Sequence, residues 1–528
     1  MRRLNQHLQL KVSLRFKVNH HKTRNKVSEL SAVLPTPKIA AKNLADFNPA
    51  IFTQDLLITG VKLNAQAIQP GDLFIALPGA KTHGLNFADL AIKNGAVAIL
   101  SDKSQQAAEI KVPHFVASNP RELVGEISAW LYDSPFKSLI AVGITGTNGK
   151  TTTSNLVKQL WQLAGLSAGV IGTLGVEVGS DKFESSRTTP EASDLQSIAA
   201  MMVQKNVSHL AMEVSSHALE LGRVNGAHFQ IGAFSNLTQD HLDFHGNMES
   251  YYLAKAKLFD QKLSNKMVVN IDDPYGKRLQ SEVKNPIITV ARQSKTADWS
   301  YASYESQING YKLSISHLGV EVINCDYNLL GEYNLDNLLL AVAIVFETGL
   351  TASQIEQVIP LLQSIPGRLE KLELGQSFNA VIDYAHTPDA VDRVLKSAQA
   401  FTSGKVIAVL GCGGDRDQSK RAIMGNSLLI GSDVAIFTSD NPRGESAEAI
   451  LLQMVGDNQI NTPNMVVTDR RDAIAYAVSV AEQGDTVLVL GKGHETGQEI
   501  NGEVHPFDDF IELESAIKSK IKNQIKQI

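Results

Sequence analysis

An α/β architecture of parallel, doubly wound sheets is predicted for this 528-residue chain by three observations. Strand-length apolar runs alternate with segments of helical period along most of the sequence. Those runs end in clusters of glycine, aspartate, asparagine and histidine, and open α/β sheets carry their ligands at the carboxyl ends of strands. The apolar run Leu139–Val142 passes through Gly143-Ile144-Thr145-Gly146-Thr147-Asn148-Gly149-Lys150-Thr151-Thr152 into a helical pattern of Asn155, Leu156, Val157, Leu160 and Trp161.

Length allows about three domains. Hydrophobic residues make up 43% and charged residues 20%, and the net charge of −6 disfavours nucleic acid as the main partner, because phosphate binding needs a basic face. Cys325 and Cys412 can form no disulfide framework and lack metal-ligand spacing, so a reducing, cytoplasmic setting is expected. Apolar runs such as Val406–Leu410 fall far short of the ~20 residues that span a bilayer.

Taken in order, the chain opens on Arg2, Arg3, Lys11, Arg15, Lys17, Lys22, Arg24 and Lys26 with no acid before Glu29. Charges interrupt every apolar stretch there, which excludes a secretory h-region. A transit peptide or nucleic-acid arm is one reading; a basic, disordered extension over residues 1–45, or an upstream start codon wrongly chosen, is the favoured one. Pro35-Thr36-Pro37 marks the end of the tail. Residues 46–137 form a first domain, with a strand at Asp72–Leu77, a helix at Phe87–Lys93 and a strand at Ala96–Leu100.

Residues 138–366 form the central domain. Its glycine loop lets backbone N–H groups converge on phosphate oxygens at a helix N-terminus, Lys150 reaches the terminal phosphates, and the Thr151 hydroxyl suits Mg²⁺. Ile144 stands where the strict phosphate-loop pattern has its first glycine, so the cradle is a variant form; ATP is the expected ligand. Glu213, at the end of the run His209–Met212, is placed as a Mg²⁺ ligand beside Thr151. Asn236-Leu237-Thr238-Gln239-Asp240-His241-Leu242-Asp243 follows the strand Ile231–Phe234 and adds further ligand types. Mg²⁺ prefers oxygen, so His241 as a ligand implies a second site; zinc is the rival metal, without its usual ligand spacing.

Residues 367–528 begin after Ile365-Pro366 and read as a third α/β domain. Strands at Ala380–Asp383, Val406–Leu410, Val434–Thr438 and Thr486–Leu490 end respectively in Asp383-Tyr384-Ala385-His386, Gly411-Cys412-Gly413-Gly414-Asp415-Arg416, Asp440-Asn441-Pro442-Arg443 and Gly491-Lys492-Gly493-His494-Glu495. Taken bare, Asp440–Arg443 is a good turn sequence, and Lys255 with Lys257 is a lysine pair on a solvated helix face.

In their order, Gly146–Thr152, Glu213–Leu219, Asn236…Asp243, Gly331-Glu332-Tyr333-Asn334-Leu335-Asp336-Asn337, Gly367-Arg368, Asp383–His386 and Gly491–Glu495 resemble the motif set of the Mur ligases, over roughly residues 55–510. Within that family the chain looks like the MurE type. The resemblance implies three domains: an N-terminal UDP-binding domain, a central P-loop-type ATPase and a C-terminal Rossmann-like domain that brings the amino acid. It also implies the reaction. ATP phosphorylates the D-glutamyl side-chain carboxylate of UDP-N-acetylmuramoyl-L-alanyl-D-glutamate, and the amine of meso-2,6-diaminopimelate attacks the acyl phosphate, in peptidoglycan precursor synthesis.

By resemblance, ATP is held by Gly146, Thr147, Asn148, Gly149, Lys150, Thr151 and Thr152 with Asn337, Arg368 and Asp383. Lys255 is implied to be carbamylated, joining Thr151, Glu213 and His241 around Mg²⁺, with Lys150, Lys255, Glu213 and His241 carrying catalysis. Thr188, Thr189, Ser215 and Arg223 match positions for the muramoyl dipeptide; Leu221 replaces a usual glutamine, Asn64-Ala65-Gln66 the usual Asp-Ser-Arg, and His83-Gly84 an Asp-Gly. Arg416, Asp440, Asn441, Pro442, Arg443, Gly491 and Glu495 are implied for diaminopimelate, whose second carboxylate suits a guanidinium fork. A monomer with small-molecule partners only, no nucleic acid and no membrane span is expected. Folylpolyglutamate synthase, which shares the ATPase core without a UDP domain, and a non-catalytic relative are the alternatives.

Overall fold

The computed structural model describes residues 36–79, 82–102, 110–185, 187–307 and 310–527. Residues 1–35, most of the basic segment, lie outside this set. Residues 36–45, the last of the expected extension, are among those described. Lys42–Asn43 pairs antiparallel with Leu57–Ile58, Asn43 caps the helix Leu44–Phe47, and Leu44 is fully buried. A buried leucine beside a capped helix holds this stretch to the body of the protein.

The chain divides into two compact units, the first comprising residues up to 139 together with 169–208 and 223–226. Its sheet has the parallel strands Gly60–Lys62, Asp72–Ala76, Ala98–Ser101 and His114–Val116 in that order. Asp72–Ala76 is buried at every position, as a parallel strand covered on both faces must be. Val61, Leu73, Ile75 and Leu100 pack on one face with the helix Pro120–Leu131, and Phe74, Ile99 and Ala91 pack on the other. The helix Ala192–Gln204 also belongs to this unit.

Two sheets make up the second unit. In the first, parallel strands run in the order His209–Glu213, Ile140–Thr145, Phe229–Phe234, Ser264–Asn270 and Ile287–Ala291. Trp299–Gln307 joins in parallel and begins an antiparallel meander through Gly310–His317 and Val320–Tyr327. Alternation along the sequence does not predict this meander, because its strands follow one another without helices between them. The second sheet has the order Glu370–Lys371, Asn379–Asp383, Thr486–Leu490, Val406–Leu410, Val434–Phe437 and Met465–Val466, parallel except at its first pair. Apolar clusters cover both its faces, one around Leu395, Ala408 and Leu428, the other around Ile407, Ile474 and Val487. A hairpin, Gly497–Ile500 with Glu503–Pro506, lies outside that sheet.

Candidate active site

The strand Ile140–Thr145 has a parallel neighbour on each side, and the loop that leaves its carboxyl end leads into the helix Lys150–Leu163. Ile144 is fully buried within the strand, so the turn begins only at Gly146. Gly146 and Gly149 both take positive φ, and a Cβ on them would sit 1.9 Å from Ser235 Oγ and 2.3 Å from Asn337 Oδ1, respectively. Neighbouring segments therefore require glycine here. The loop is braced from the strand end after Phe234: Thr147 N–H donates to the Asn236 carbonyl at 2.8 Å, Asn148 N–H to Asn236 Oδ1 at 2.9 Å, and Ser235 Oγ to the Asn148 carbonyl at 2.6 Å.

Several charged or polar side chains gather around this loop. Lys150 Nζ folds back to donate to the carbonyls of Gly146 and Thr147 at 2.9 and 2.8 Å. Lys255, in the helix Met248–Ala256, donates to the same Gly146 carbonyl at 2.7 Å and is only 1% exposed. Burial, and then the charge of Lys150, pull the Lys255 ammonium well below its usual pKa. Thr151 Oγ1 donates to Glu213 Oε2 at 2.9 Å, and Glu213 is fully buried at the end of its strand. Arg368 Nη2 reaches Thr151 Oγ1 at 3.3 Å while its guanidinium lies 4.6 Å from the centre of the Tyr384 ring. His241, with φ of 53°, lies 3.4 Å from Asp240 and edge-on to His217. Its pKa is lowered to about 4, by burial against the pull of Asp240 and further by the charges of Lys150, His217 and Lys255.

The four strand ends of the other sheet are tied to one another. Gly491 N–H donates to the Asp383 carbonyl at 3.1 Å, and Gly414 N–H to the Asn441 carbonyl at 2.8 Å. Asn441 Nδ2 donates to Glu495 Oε2 at 2.8 Å, and buried Lys492 bonds both Asn441 Oδ1 and Glu495 Oε2 at 3.0 Å. Pro442 and Asp440 are buried in this turn, and Gly491 takes positive φ against the Asp440 carboxylate. Arg443 Nε donates to Glu499 Oε2 at 3.1 Å and Nη1 to the Gly414 carbonyl at 2.8 Å, while Arg416 is exposed.

Family models match between residues 57 and 493: "Mur ligase family, catalytic domain" at residues 57–131, "Mur ligase middle domain" at 144–345 and "Mur ligase, glutamate ligase domain" at 367–493. The chain belongs to the Mur ligase family. Among curated Mur ligases, the UDP-N-acetylmuramoyl-L-alanyl-D-glutamate--2,6-diaminopimelate ligase of Streptomyces coelicolor is 44% identical over 87% of this chain and 92% of its own. The proteins of that name from Nostoc sp. and Geobacillus thermodenitrificans are 39% and 38% identical and are covered over 96% and 95% of their lengths. A solved structure of such a ligase superposes with a TM-score of 0.65 at 31% identity, covering 91% of this chain and all of the other. The folylpolyglutamate synthase of Mycobacterium tuberculosis shares the fold at a TM-score of 0.57, over 70% of this chain.

The remaining residues singled out in this Mur ligase fall in several places. Asn337 accepts from Thr153 Oγ1 at 3.4 Å beside the loop. The Asp383 carboxylate takes the N–H groups of Leu369 and Ala385, both at 2.8 Å, and so holds the turn that carries Arg368. Thr188 pairs with Thr173 at 3.1 Å in the first unit, where Thr189 is buried; there Arg223 and Arg121 both contact Glu191, at 3.0 and 2.6 Å. Ser215 belongs to the second unit and caps the helix Ser216–Glu220. At the departures from the family pattern, Asn64 caps a short 3₁₀ turn and His83 pairs with Asp102 at 3.1 Å. Sequence reading passed over Asp389, which accepts from Asn148 Nδ2 at 3.0 Å, and also Glu499 and Arg421, and gave Lys492 no role although it lies inside the Gly491–Glu495 motif. Only their nearness to recognised motifs could have signalled them.

Proposed function

We propose that this chain ligates meso-2,6-diaminopimelate to the D-glutamyl side-chain carboxylate of UDP-N-acetylmuramoyl-L-alanyl-D-glutamate, with ATP converted to ADP and phosphate. The observation that carries the reading is the joint presence of a braced phosphate loop and the Asn441–Glu495–Lys492 cluster beside Arg443 in a chain 44% identical to a ligase of that name. A carboxylate oxygen leaves only when activated. Its attack on the γ-phosphorus makes an acyl phosphate and ADP; the amine then adds to the carbonyl carbon, loses a proton, and expels phosphate. Both partners in the first step are anionic, so positioning and charge neutralisation supply most of the catalysis. Lys150 does this by exchanging its two loop carbonyls for phosphate oxygens, with Arg368 as a second cation at the same face.

Mg²⁺ fits the donors present. Thr151 and Glu213 offer a hydroxyl and a buried carboxylate side by side, to which phosphate oxygens and water would be added. When bound, it neutralises charge on the phosphates. Lys255 and His241 are proposed for a second cation, Lys255 as a carbamate; a lysine driven towards its neutral amine is the form that adds CO₂. Thr188, Thr189, Ser215 and Arg223 are proposed for the muramoyl dipeptide, and Arg416, Asp440, Gly491 and Glu495, with Asn441 to Arg443, for the diamino acid. ADP release should require the muramoyl dipeptide and meso-diaminopimelate together, and Lys150→Ala should lower it on the order of a hundredfold or more. ADP release that ignores diaminopimelate would overturn the reaction; near-normal turnover in Lys150→Ala would remove only the phosphate-loop role.

A further inference from the structure

Arg421 lies in the helix Ser419–Gly431 with its side chain 1% exposed, a rare position for arginine unless it is paired. Both terminal nitrogens of its fork are engaged, while Nε is buried without a hydrogen-bond partner. Nη1 donates to Glu445 Oε2 at 2.8 Å and Gln453 Oε1 at 2.7 Å; Nη2 donates to Glu445 Oε1 at 2.8 Å and the Gly413 carbonyl at 3.2 Å. One guanidinium thus joins the loop after the strand Val406–Leu410, the turn after Val434–Phe437 and the helix Ala447–Val455. Glu445 passes the link on, since its Oε1 also accepts the Asp415 N–H at 2.6 Å. The loop and turn are further stitched by Gly444 N–H to Asp415 Oδ2 at 3.0 Å and by Arg443 Nη1 to the Gly414 carbonyl at 2.8 Å.

These two segments hold conformations that need support. Asp415 and Arg443 both take left-handed φ, at 51° and 52°, which is unfavourable for a non-glycine residue and persists only where surroundings over-determine it. They also approach so closely that a Cβ at Gly414 would lie 1.9 Å from the Pro442 carbonyl. Apolar side chains could fill the space between the helices without the desolvation cost of a buried ion pair. A fork that bridges three segments at fixed angles does what they cannot.

We infer that Arg421 is a positioning residue for the amino-acid substrate: it locks the Arg416 loop to the Arg443 turn and so sets the spacing of the two guanidiniums that receive the second carboxylate. This rests on the substrate reading proposed above. An ångström of misplacement in a recognition group can cost about a hundredfold.

The test uses the full-length enzyme and three variants, Arg421→Met, Arg421→Lys and Glu445→Gln. For Arg421→Met the KM for meso-diaminopimelate should rise roughly 10- to 100-fold while those for ATP and the muramoyl dipeptide stay within about twofold. Preference for diaminopimelate over L-lysine should narrow by a similar factor. Arg421→Lys should recover part of the loss, and Glu445→Gln, at a partly exposed site, should shift KM the same way by less. Should Arg421→Met fail to fold, the other two variants decide. An unchanged diaminopimelate KM in the folded variants, or a parallel rise in all three KM values, makes Arg421 merely structural and overturns the inference. Wild-type enzyme indifferent to the choice between diaminopimelate and lysine would instead sink the substrate reading itself.

Discussion

Lys255 and Lys257 stand two positions apart and meet opposite surroundings. Lys255 is buried on the Gly146 carbonyl, 4.5 Å from the centre of the Tyr251 ring; Lys257 is 47% exposed and pairs with Glu220 at 2.6 Å. At about 100° per residue, two positions turn a side chain roughly to the far face of a helix. Lys255→Ala should therefore be nearly inactive in ADP release and partly rescued by short carboxylic acids, which can replace a carbamate. Lys257→Ala should stay close to wild type, because an exposed ion pair is worth at most about 1 kcal/mol. Equal losses from the two substitutions would rule out a special role for Lys255. Helical period alone separates the two faces, but which of them is interior depends on the phosphate loop packed against Lys255, and that loop lies about a hundred residues earlier.

The helices of the last sheet are joined by an ion pair with no exposure on either side. Arg470, opening the helix Arg470–Val480, donates through Nε and Nη2 to Asp509, at the start of Asp509–Gln527, both at 2.7 Å, and through Nη2 to the Leu490 carbonyl at 2.8 Å. Asp509→Ala leaves a buried guanidinium uncompensated, and should cost about 3–5 kcal/mol in chemical denaturation. A loss within about 0.5 kcal/mol, the usual surface effect, would contradict the burial described. Glu445 gives a pH-dependent case. Arg421 first, and the Asp415 N–H second, lower its carboxyl from 4.5 to about 2. A depressed carboxylate stabilises the fold fully above its unfolded pKa and loses that contribution as pH falls through the folded value. The melting-temperature gap between wild type and Glu445→Gln should accordingly be largest near neutrality, shrink below pH 4.5 and close near pH 2. A gap that is constant with pH would mean the carboxylate charge contributes nothing.

At the scale of the whole molecule, one sheet brings together strand ends far apart in sequence, and these are the segments proposed to choose the amino acid. L-Lysine lacks the second carboxylate, so under the proposed reading it offers Arg416 and Arg443 no carboxylate from the substrate; sites built on polar partners reject such analogues by roughly 10⁴-fold in favourable cases. Arg443→Ala should lose most activity with diaminopimelate, change the lysine reaction little, and leave the KM for the muramoyl dipeptide unmoved. Comparable kcat/KM for both amino acids in the wild type would return Asp440–Arg443 to a plain turn. No helix among the described residues is long and apolar enough to cross a membrane.

Local patterns were enough to read the α/β class, the strands Val406–Leu410 and Thr486–Leu490, and the loop Gly146–Thr152, because period and turn chemistry act between near neighbours. The motif order pointed to the Mur ligases for the same reason: each motif is a short segment that must be whole to work. What the tertiary structure alone decided are partners across long separations. Asp389 bonds Asn148 from 241 residues away, Glu499 holds Arg443 from 56, and Arg421 reaches Glu445 and Gln453 in other elements. The hairpin Gly497–Ile500 with Glu503–Pro506, half-buried in its first strand and exposed in its second, carried no clear period to announce it. A side chain's type is written in the sequence, but whether its charge is paired, buried or free to meet a ligand is set by which segments the sheets place beside it.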